Sequence, residues 1–421
     1  MPAQHRRSSG RSLRVGACAG VLAACACALG DGGFASGAAA RTTLTIYSSM
    51  PEQGGLRDQA KAIENGAALA LSDIGGKVGS YRIRYRRLDS SLATTGAADE
   101  GRGRRNARKA AHDATAIGYI GEFNSYVSRV TIPILNRAGM AQISPSNTFV
   151  GLTSGAPGHM RGEPKKYYPT GRRTYARVIP NDTVQGAALA TTTRDHGCAS
   201  VHLFNSGTPY SRGLTQTIKR TAHRIGLKIE GSDRYDPQAQ NYKSLARHVK
   251  APCVIQTGEI EENGVRLLKD VAAADHRAAL YAADALCLNA SKDPSRGIPP
   301  SLAPRFKCTI AALDPRAFGP RGRHFFARFA KRYHQSHPDP YAIYGYESMA
   351  LMLDSIKRAS AGGGQVTRKR VVAALFSTRK RASVLGTYSI DRNGDTTLRD
   401  YGLYKIVRRK WLAFDRVIRA R

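Results

Sequence analysis

One run of side chains has the chemistry that a metal ion could use. Asp391-Arg392-Asn393-Gly394-Asp395 is similar to the start of a calcium-binding loop, in which carboxylate and amide oxygens hold the ion. Such a loop needs glycine at its sixth position and glutamate at its twelfth, where this chain has Thr396 and Gly402. The run therefore predicts a β-turn and no metal site.

The sequence lacks the motifs that are typical of catalytic or cofactor-binding sites. No GxGxxG follows the first predicted strand and no phosphate-binding P-loop occurs, so the sequence gives no support for a nucleotide or dinucleotide enzyme. Neither GxSxG nor HExxH is found. The sequence predicts a protein that is not an enzyme and holds no cofactor.

The chain is strongly basic. It has 421 residues with 65 Lys and Arg against 31 Asp and Glu, a formal net charge of +34, and such a charge first suggests nucleic acid or an anionic surface as partner. Basic clusters such as Arg102–Lys109 are not interleaved with aromatic residues on which bases could stack. They indicate a solvated face, and we expect no nucleic-acid partner.

The first 41 residues are unlike the rest of the chain. A basic segment that contains Arg6 and Arg14 is followed by the short apolar run Val15–Leu29, the pattern of a removed signal peptide and too short for a membrane span. Leu22-Ala23-Ala24-Cys25 resembles a lipobox, which makes residues 1–24 the signal and Cys25 the lipidated residue. The alternative is an ordinary signal cleaved after one of the alanines. Residues 25–41 would be a flexible tether at the outer face of the cytoplasmic membrane or in the periplasm.

From Thr43 onward, short β-rich runs alternate with helical patterns. Arg57–Ile74 repeats apolar residues at helical spacing, and Tyr81–Asp89 alternates with the period of a strand. Two such series, of about five strands each, predict two doubly wound α/β lobes with parallel sheets. The last third, 310–421, has too few strands for a sheet of its own and is expected to complete both lobes. A cleft should then lie where the strand carboxyl ends of the lobes meet.

Six stretches of sequence, in order along the chain, carry a resemblance to a known family. They are TLTIYSSM with AIENGAALALSDI, AIGYIGEFNS with IPILNRAGMAQISPSNT, YPTGRRTYARVIPNDTVQGAALA, LFNSGTPYSRGL, DPYAIYGYESMALMLDSI and VLGTYSIDRNGDTTLRDYGLYKI. Together they resemble type I periplasmic binding proteins of the branched-chain amino-acid class, which are the capture components of ABC importers.

The resemblance implies two Rossmann-like lobes joined by a three-segment hinge, with lobe one formed by 42–177 and 310–383. Lobe two would then take 178–309 and 384–421. It further implies that a small solute such as an amino acid is captured by hinge closure, and that the closed monomer docks on an ABC permease. The lipobox-like segment and the positive charge separately predict that a lipid anchor holds the protein at an anionic membrane surface.

The family places ligand contacts after particular strands, and the matching residues here can be named. Ser125, Asn147 and Thr148 would contact a carboxylate from lobe one, although each is also a good helix N-cap. Tyr210 would close over the ligand from lobe two, and Asp284 would face an ammonium group. Glu259 stands where the family has an aromatic residue, so it could add a second anion and favour a cationic or polar ligand.

Four cysteines lie in the predicted lobes, and their number alone leaves three possible pairings open. The family's strand order in lobe two, with the first strand between the second and third, implies Cys198 with Cys253 and Cys287 with Cys308.

Several functions remain open at this level. The main alternative is a clamshell protein that senses a ligand and passes a signal to a partner. Within the transport class, the solute could be a branched-chain or other amino acid, an amide, urea or an aromatic acid.

Overall fold

The computed structural model describes residues 43–287, 297–407 and 411–419. The predicted signal peptide, Cys25 and the tether lie outside the described residues. Within the described ranges, no helix has both the length and the apolar character needed to cross a membrane.

The described chain alternates strands and helices for most of its length. Its strands are β1 Thr43–Met50, β2 Lys77–Val78, β3 Tyr81–Asp89, β4 Ala116–Ile120, β5 Ala141–Ser144, β6 Tyr175–Arg177, β7 Ser200–Asn205, β8 Lys228–Arg234, β9 Cys253–Gln256, β10 Ala279–Ala282, β11 Phe306–Ile310, β12 Arg381–Ser383, β13 Gly386–Tyr388, β14 Asp400–Val407 and β15 Trp411–Arg419. Its α-helices are α1 Arg57–Asp73, α2 Glu100–His112, α3 Ser125–Arg137, α4 Asp182–Asp195, α5 Pro209–Ile225, α6 Lys243–Arg247, α7 Gly264–Ala274, α8 Pro320–Tyr333, α9 Ala342–Ser360 and α10 Arg368–Phe376.

The strands form two large sheets and one small hairpin. The first sheet has the order β2-β3-β1-β4-β5-β6, and all its pairs are parallel except β2 with β3. The second has the order β15-β14-β11-β10-β9-β7-β8, with parallel pairing from β8 to β11. Both reverse strand order next to their first strand, the arrangement of doubly wound sheets. The predicted fold class is confirmed, including the position of β7 between β8 and β9.

The last third of the chain serves both sheets. After β11, helix α9 packs along α1 and against β4 and β5 of the first sheet, and α10 packs on α9. The chain then returns to the second sheet, where β14 pairs antiparallel with β11 and β15 pairs antiparallel with β14. The exact boundaries proposed for the two lobes stay a prediction.

Apolar periodicity predicts a helix over Asn106–Ala114, whereas α2 begins six residues earlier, at Glu100. Asp99 caps it, since its side chain accepts a 2.7 Å hydrogen bond from the backbone N–H of Arg102. A Cβ atom on Gly103 would lie 2.3 Å from a methyl carbon of Val127, so this glycine allows α2 and α3 to pack closely. Glycine and arginine in the first turn hide the helical pattern from a periodicity analysis.

Both predicted disulfides are present. Cys198, just before β7, is bonded to Cys253 at the start of β9. Cys287, which follows β10, is bonded to Cys308 in β11. Each bond therefore joins segments of neighbouring parallel strands in the second sheet.

A buried ion pair ties the end of the first sheet to the segment that precedes β14. Arg177, at the end of β6, is fully buried and its Nε donates to Asp395 Oδ1 at 2.6 Å. Asp395 belongs to the run that was considered as a calcium loop, and Gly394 N–H donates to the carbonyl of Asp391 at 3.2 Å, as in a β-turn. The predicted turn is confirmed, and the Asp395 carboxylate serves an arginine.

Candidate functional site

A narrow cavity of about 30 Å³ lies where the carboxyl ends of the two sheets face each other. Its lining comes from both sides and consists of Leu56, Gln59, Phe123, Asn124, Ser125, Ser146, Thr148, Tyr210, Glu259, Asp284, Ala285 and Tyr341. Five of the six predicted ligand-binding residues are among them, and the sixth, Asn147, is not.

The wall on the side of the first sheet offers hydrogen-bond donors. Ser125 is the first residue of α3, so the amides of that first turn have no partner within the helix. Ser146 and Thr148 follow β5 and bring two more hydroxyl groups to the wall. Neither Ser125 nor Thr148 occupies the N-cap position of an α-helix, since α3 begins after Asn124 and α4 after Asn181. The alternative of N-capping therefore does not account for these two residues.

Asn147 has a different place from the one predicted. Its side-chain amide donates to the carbonyl of Phe123 at 2.6 Å, and its oxygen accepts from Tyr175 at 3.0 Å and from Ser128. These bonds fix the loop that carries Phe123 and Asn124 into the cavity. The structure thus gives Asn147 a positioning role and does not bring its side chain to the cavity lining.

Asp284 is the acid on the opposite wall, just after β10. Its Oδ1 accepts hydrogen bonds from the hydroxyl of Tyr210, from Gln185 Nε2 at 3.0 Å and from the amide of Ala285 at 3.1 Å. Its Oδ2 accepts from the hydroxyl of Tyr341 at 3.1 Å. All four donors are neutral. Burial raises the pKa of this carboxyl, and the hydrogen bonds partly oppose that rise.

A second acid, Asp182, lies close behind the cavity. It is fully buried at the start of α4, where the Thr148 hydroxyl is its nearest side-chain donor in the described part of the chain. Burial raises its pKa well above the usual value and the nearby charge of Asp284 raises it further, whereas the Thr148 hydroxyl and the charge of Arg177 oppose the rise. Asp182 is therefore a buried acid behind the cavity that favours its neutral form, a feature that sequence analysis missed.

Glu259 brings a third carboxylate to the site, in the loop after β9. It is 7% exposed, and its Oε2 accepts a 2.8 Å hydrogen bond from Asn124 Nδ2 on the opposite wall. Burial raises its pKa well above the usual value, the neighbouring Glu262 adds to the rise, and the bond from Asn124 opposes it.

Tyr341 is the lining residue that sequence reasoning missed most clearly. It precedes α9, stacks on Phe123 with ring centroids 6.5 Å apart, and donates to Asp284. Tyr346, within α9, packs away from the cavity: its ring lies against Phe325 of α8, and its hydroxyl donates to Asp73 at 2.7 Å. Tyr341 carries no local signal, because only the return of the chain to the first sheet brings it to the cavity.

Most of the described region matches one family. The family described as "Periplasmic binding protein" covers residues 45–410, which include every cavity residue and all strands except β15 and the first two residues of β1. The chain belongs to the periplasmic binding protein family. This is a family of binding proteins rather than of enzymes, and the sequence-level resemblance is confirmed.

Relatives of this periplasmic binding protein share most of its length at low identity. It is 21% identical to the Leu/Ile/Val-binding protein homolog 1 of Brucella suis biovar 1 (strain 1330), covering 88% of this chain and 92% of the relative. It is 22% identical to the Leu/Ile/Val-binding protein homolog 2 of Brucella abortus (strain 2308), covering 90% and 94%.

Solved structures have the same fold. The leucine binding protein LivK of Thermotoga maritima MSB8 superposes with a TM-score of 0.73 at 20% identity, covering 89% of this chain and 98% of the other. A solute binding protein of an ABC transporter from Rhodopseudomonas palustris HaA2, in complex with p-hydroxybenzoic acid, gives a TM-score of 0.73 at 14% identity, covering 90% and 97%. At such identities the likeness describes the fold alone.

In this binding protein the two walls touch across the cavity. Asn124 on the first-sheet side bonds Glu259 on the second, and the amide of Gly55, just before α1, donates to Glu261 Oε1. Tyr341 bridges in the same way to Asp284. These contacts between the two walls mean that the described conformation is a closed one.

Proposed function

We propose that this protein captures an amino acid in the cavity and delivers it to an ABC importer. The observation that carries the proposal is the polarity of the two walls: hydroxyl groups and helix amides on one side, and the Asp284 carboxylate with only neutral donors on the other. That pairing suits a zwitterion, which brings one negative and one positive group. Relatives named for leucine, isoleucine and valine binding support the same ligand class.

Each end of a zwitterion has a partner in this arrangement. Its carboxylate would accept hydrogen bonds from Ser125, Thr148 and the first-turn amides of α3, where the helix dipole also favours a negative charge. Its ammonium would donate to Asp284, and Tyr210 would keep that carboxylate in place. Leu56, Phe123 and Tyr341 offer apolar surface to the side chain.

Capture follows from closure of the two walls. A solute that contacts both walls favours the closed form in proportion to its higher affinity for that form. The bonds from Asn124 to Glu259 and from Tyr341 to Asp284 exist only when the walls meet, so they add to the stability of the closed form. The closed monomer is then the form that would dock on the membrane permease.

A thermal-shift screen of the purified exported protein tests the ligand class. We expect at least one L-amino acid to raise the melting temperature progressively with concentration, since a ligand at 100 times its Kd stabilises the folded state by about 2.7 kcal/mol. Urea, simple amides and benzoate serve as comparison ligands that lack an ammonium group. Stabilisation by those compounds and by no amine would contradict the proposal.

We further propose that residues 1–24 are removed on export and that Cys25 is lipidated, so that residues 25–41 tether the protein to the membrane. The family and the two disulfides, which form in oxidising compartments, support export. The mature chain would keep a net charge of +30 (34 − 4 arginines), which favours an anionic membrane surface.

Cell fractionation tests the anchor. The wild-type protein is expected in the membrane fraction and a Cys25→Ala variant in the soluble extracytoplasmic fraction, because a tether without lipid has little membrane affinity. A mature protein whose mass and amino-terminal sequence show cleavage after one of the alanines, with no lipid, would contradict lipidation while leaving export intact.

A further inference from the structure

The cavity has more negative than positive groups, even after a zwitterion is accounted for. Glu259 and Asp284 both line it and are 7% and 6% exposed, while its lining includes no lysine, arginine or histidine. An α-ammonium placed on Asp284 would leave Glu259 without a positive partner. A carboxylate buried without one is costly, so burial raises the pKa of Glu259, and a positive group on the ligand would stabilise its charged form.

The neighbours of Glu259 also accept hydrogen bonds. Asn124 lines the cavity, is 4% exposed and donates from its Nδ2 to Glu259, which leaves its Oδ1 buried with no hydrogen-bond partner in the described structure. An unpaired amide oxygen beside a carboxylate is a site for a group that has several N–H donors and a positive charge. An ammonium or guanidinium group meets both requirements.

Glu259 also has a structural role. It is the N-cap of a short 3-10 helix, Ile260–Glu262: its side chain accepts from the backbone N–H of Glu262, and the Glu262 side chain accepts from the backbone N–H of Glu259 at 2.8 Å. Serine, threonine, aspartate and asparagine are the residues that cap helices well. A glutamate also extends further, and here it reaches Asn124 on the opposite wall.

We propose that the solute is a dibasic amino acid, whose side-chain cation binds between Glu259 and the Asn124 amide oxygen while its α-ammonium binds Asp284. This inference rests on the proposed function, because it assumes an amino acid in the cavity. The aliphatic part of such a side chain would lie along Leu56 and Phe123. Specificity then comes from charge at the far end of the cavity, at the position that the family resemblance assigns to an aromatic residue.

Isothermal titration of the wild-type protein with L-lysine, L-ornithine, L-arginine and L-norleucine tests the inference. Norleucine has the lysine carbon chain without its terminal ammonium. The difference in affinity between lysine and norleucine therefore measures the effect of the second positive charge. We expect one of the three basic amino acids to bind at least about 30-fold more tightly than norleucine, which corresponds to a buried charge pair. Equal or tighter binding of norleucine overturns the inference and leaves the proposed function intact. No binding of any amino acid would instead contradict the proposed function.

A Glu259→Gln variant tests whether Glu259 is the residue that binds the side-chain cation of the ligand. Glutamine has the same shape and can still accept from Asn124, so we expect it to fold and to lose the preference for the basic amino acid over norleucine. The control is Glu230→Gln, which removes a carboxylate that pairs with Lys228 at 2.9 Å on β8. A basic-ligand preference that survives in Glu259→Gln would overturn the assignment of this residue.

Proton release gives an independent measurement. The groups that face Glu259 are Asn124 and Tyr126 at the start of α3, Glu261 and Glu262 in its own segment, and Asp284. Burial and these acids raise the pKa of Glu259 in the free protein, so a bound cation should lower it and expel a proton. Affinity for the basic ligand should therefore rise with pH in the wild type and rise less in Glu259→Gln. Identical pH profiles would contradict the proposed contact.

Discussion

Replacing Asp284 by asparagine is expected to reduce amino-acid affinity by about 30-fold to several thousand-fold. Removing one partner of a buried, hydrogen-bonded charge pair costs about 2–5 kcal/mol, much of it because the other charge is then left unpaired. The ligand ammonium would be that other charge. Titration calorimetry of wild type and variant with the best ligand from the screen measures the loss.

Asparagine is the right substitution because it separates charge from shape. Its side-chain oxygen can still accept from Tyr210, and its size keeps Tyr341 and Gln185 in place. Burial raises the pKa of Asp284, so this group lowers the stability of the free protein as pH rises above the pKa of an unfolded aspartate. The free variant should therefore be no less stable than wild type at pH 8, and reduced binding could not be ascribed to unfolding.

A matched control is available in Glu64. It is another buried carboxyl, which accepts from Ser48 at 2.8 Å, has its pKa raised to about 7 by burial, and lies outside the cavity lining. Glu64→Gln should bind the ligand as wild type does. An Asp284→Asn variant whose affinity stays within threefold of wild type would refute the assigned role of this carboxylate.

The sequence predicts the fold because the fold depends on local patterns. Alternating strands and helices require parallel sheets, and two series of them give two sheets. The cysteine pairs could be named only once a strand order was supplied, since Cys198 and Cys253 are 55 residues apart and meet through the placement of β7 beside β9. The start of α2 was misplaced because capping by Asp99 sets it, rather than apolar spacing.

Sequence analysis could predict a site residue only where that residue follows a strand at a position where the family has a ligand contact. Ser125, Thr148, Tyr210, Glu259 and Asp284 meet that condition, and all reach the cavity. Asn147 meets it too, yet its amide is used to hold the neighbouring loop.

Contributions from distant segments were not predictable. Tyr341 reaches the cavity through the final return of the chain, and the partnership of Asn124 with Glu259 exists only when both walls are in place. Asp182 is a buried acid, and no pattern in the sequence predicts its burial. Such contributions depend on tertiary packing, and a structure is needed to find them.

The net charge is positive, whereas the described lining of the cavity includes acids and no basic residue, and the two have different consequences. The positive charge of +34 belongs to the whole chain, where salt screens exposed groups over about 10 Å. Glu259, Asp284 and Asp182 are buried, so solvent screens them far less. The overall charge therefore indicates which surfaces the protein can approach, and the buried acids indicate which ligand it can bind.

The second large effect is expected on folding, from Arg177→Met. Arg177 is fully buried, pairs with Asp395, and donates from Nη1 to the carbonyls of Asn147 and Phe149 at 3.0 and 2.9 Å. Methionine fills similar space and donates nothing, so a largely buried carboxylate and two carbonyls lose a partner. Breaking a buried pair in this way costs about 3–5 kcal/mol, which urea unfolding of the ligand-free protein would measure.

A double substitution measures how much of the loss of stability in Arg177→Met comes from leaving the Asp395 carboxylate unpaired. Asp395→Asn removes the charge that Arg177→Met leaves unpaired, while Asn181 and Thr153 still bond the side chain at position 395. The double variant should therefore be more stable than the sum of the two single losses predicts, by an amount that measures the coupling. A single Arg177→Met variant within 1 kcal/mol of wild type would show that the pair does little to hold the first sheet to the segment before β14.

Because the same arginine holds the loop that contains Asn147, the variant should also weaken ligand binding, even though Arg177 does not line the cavity.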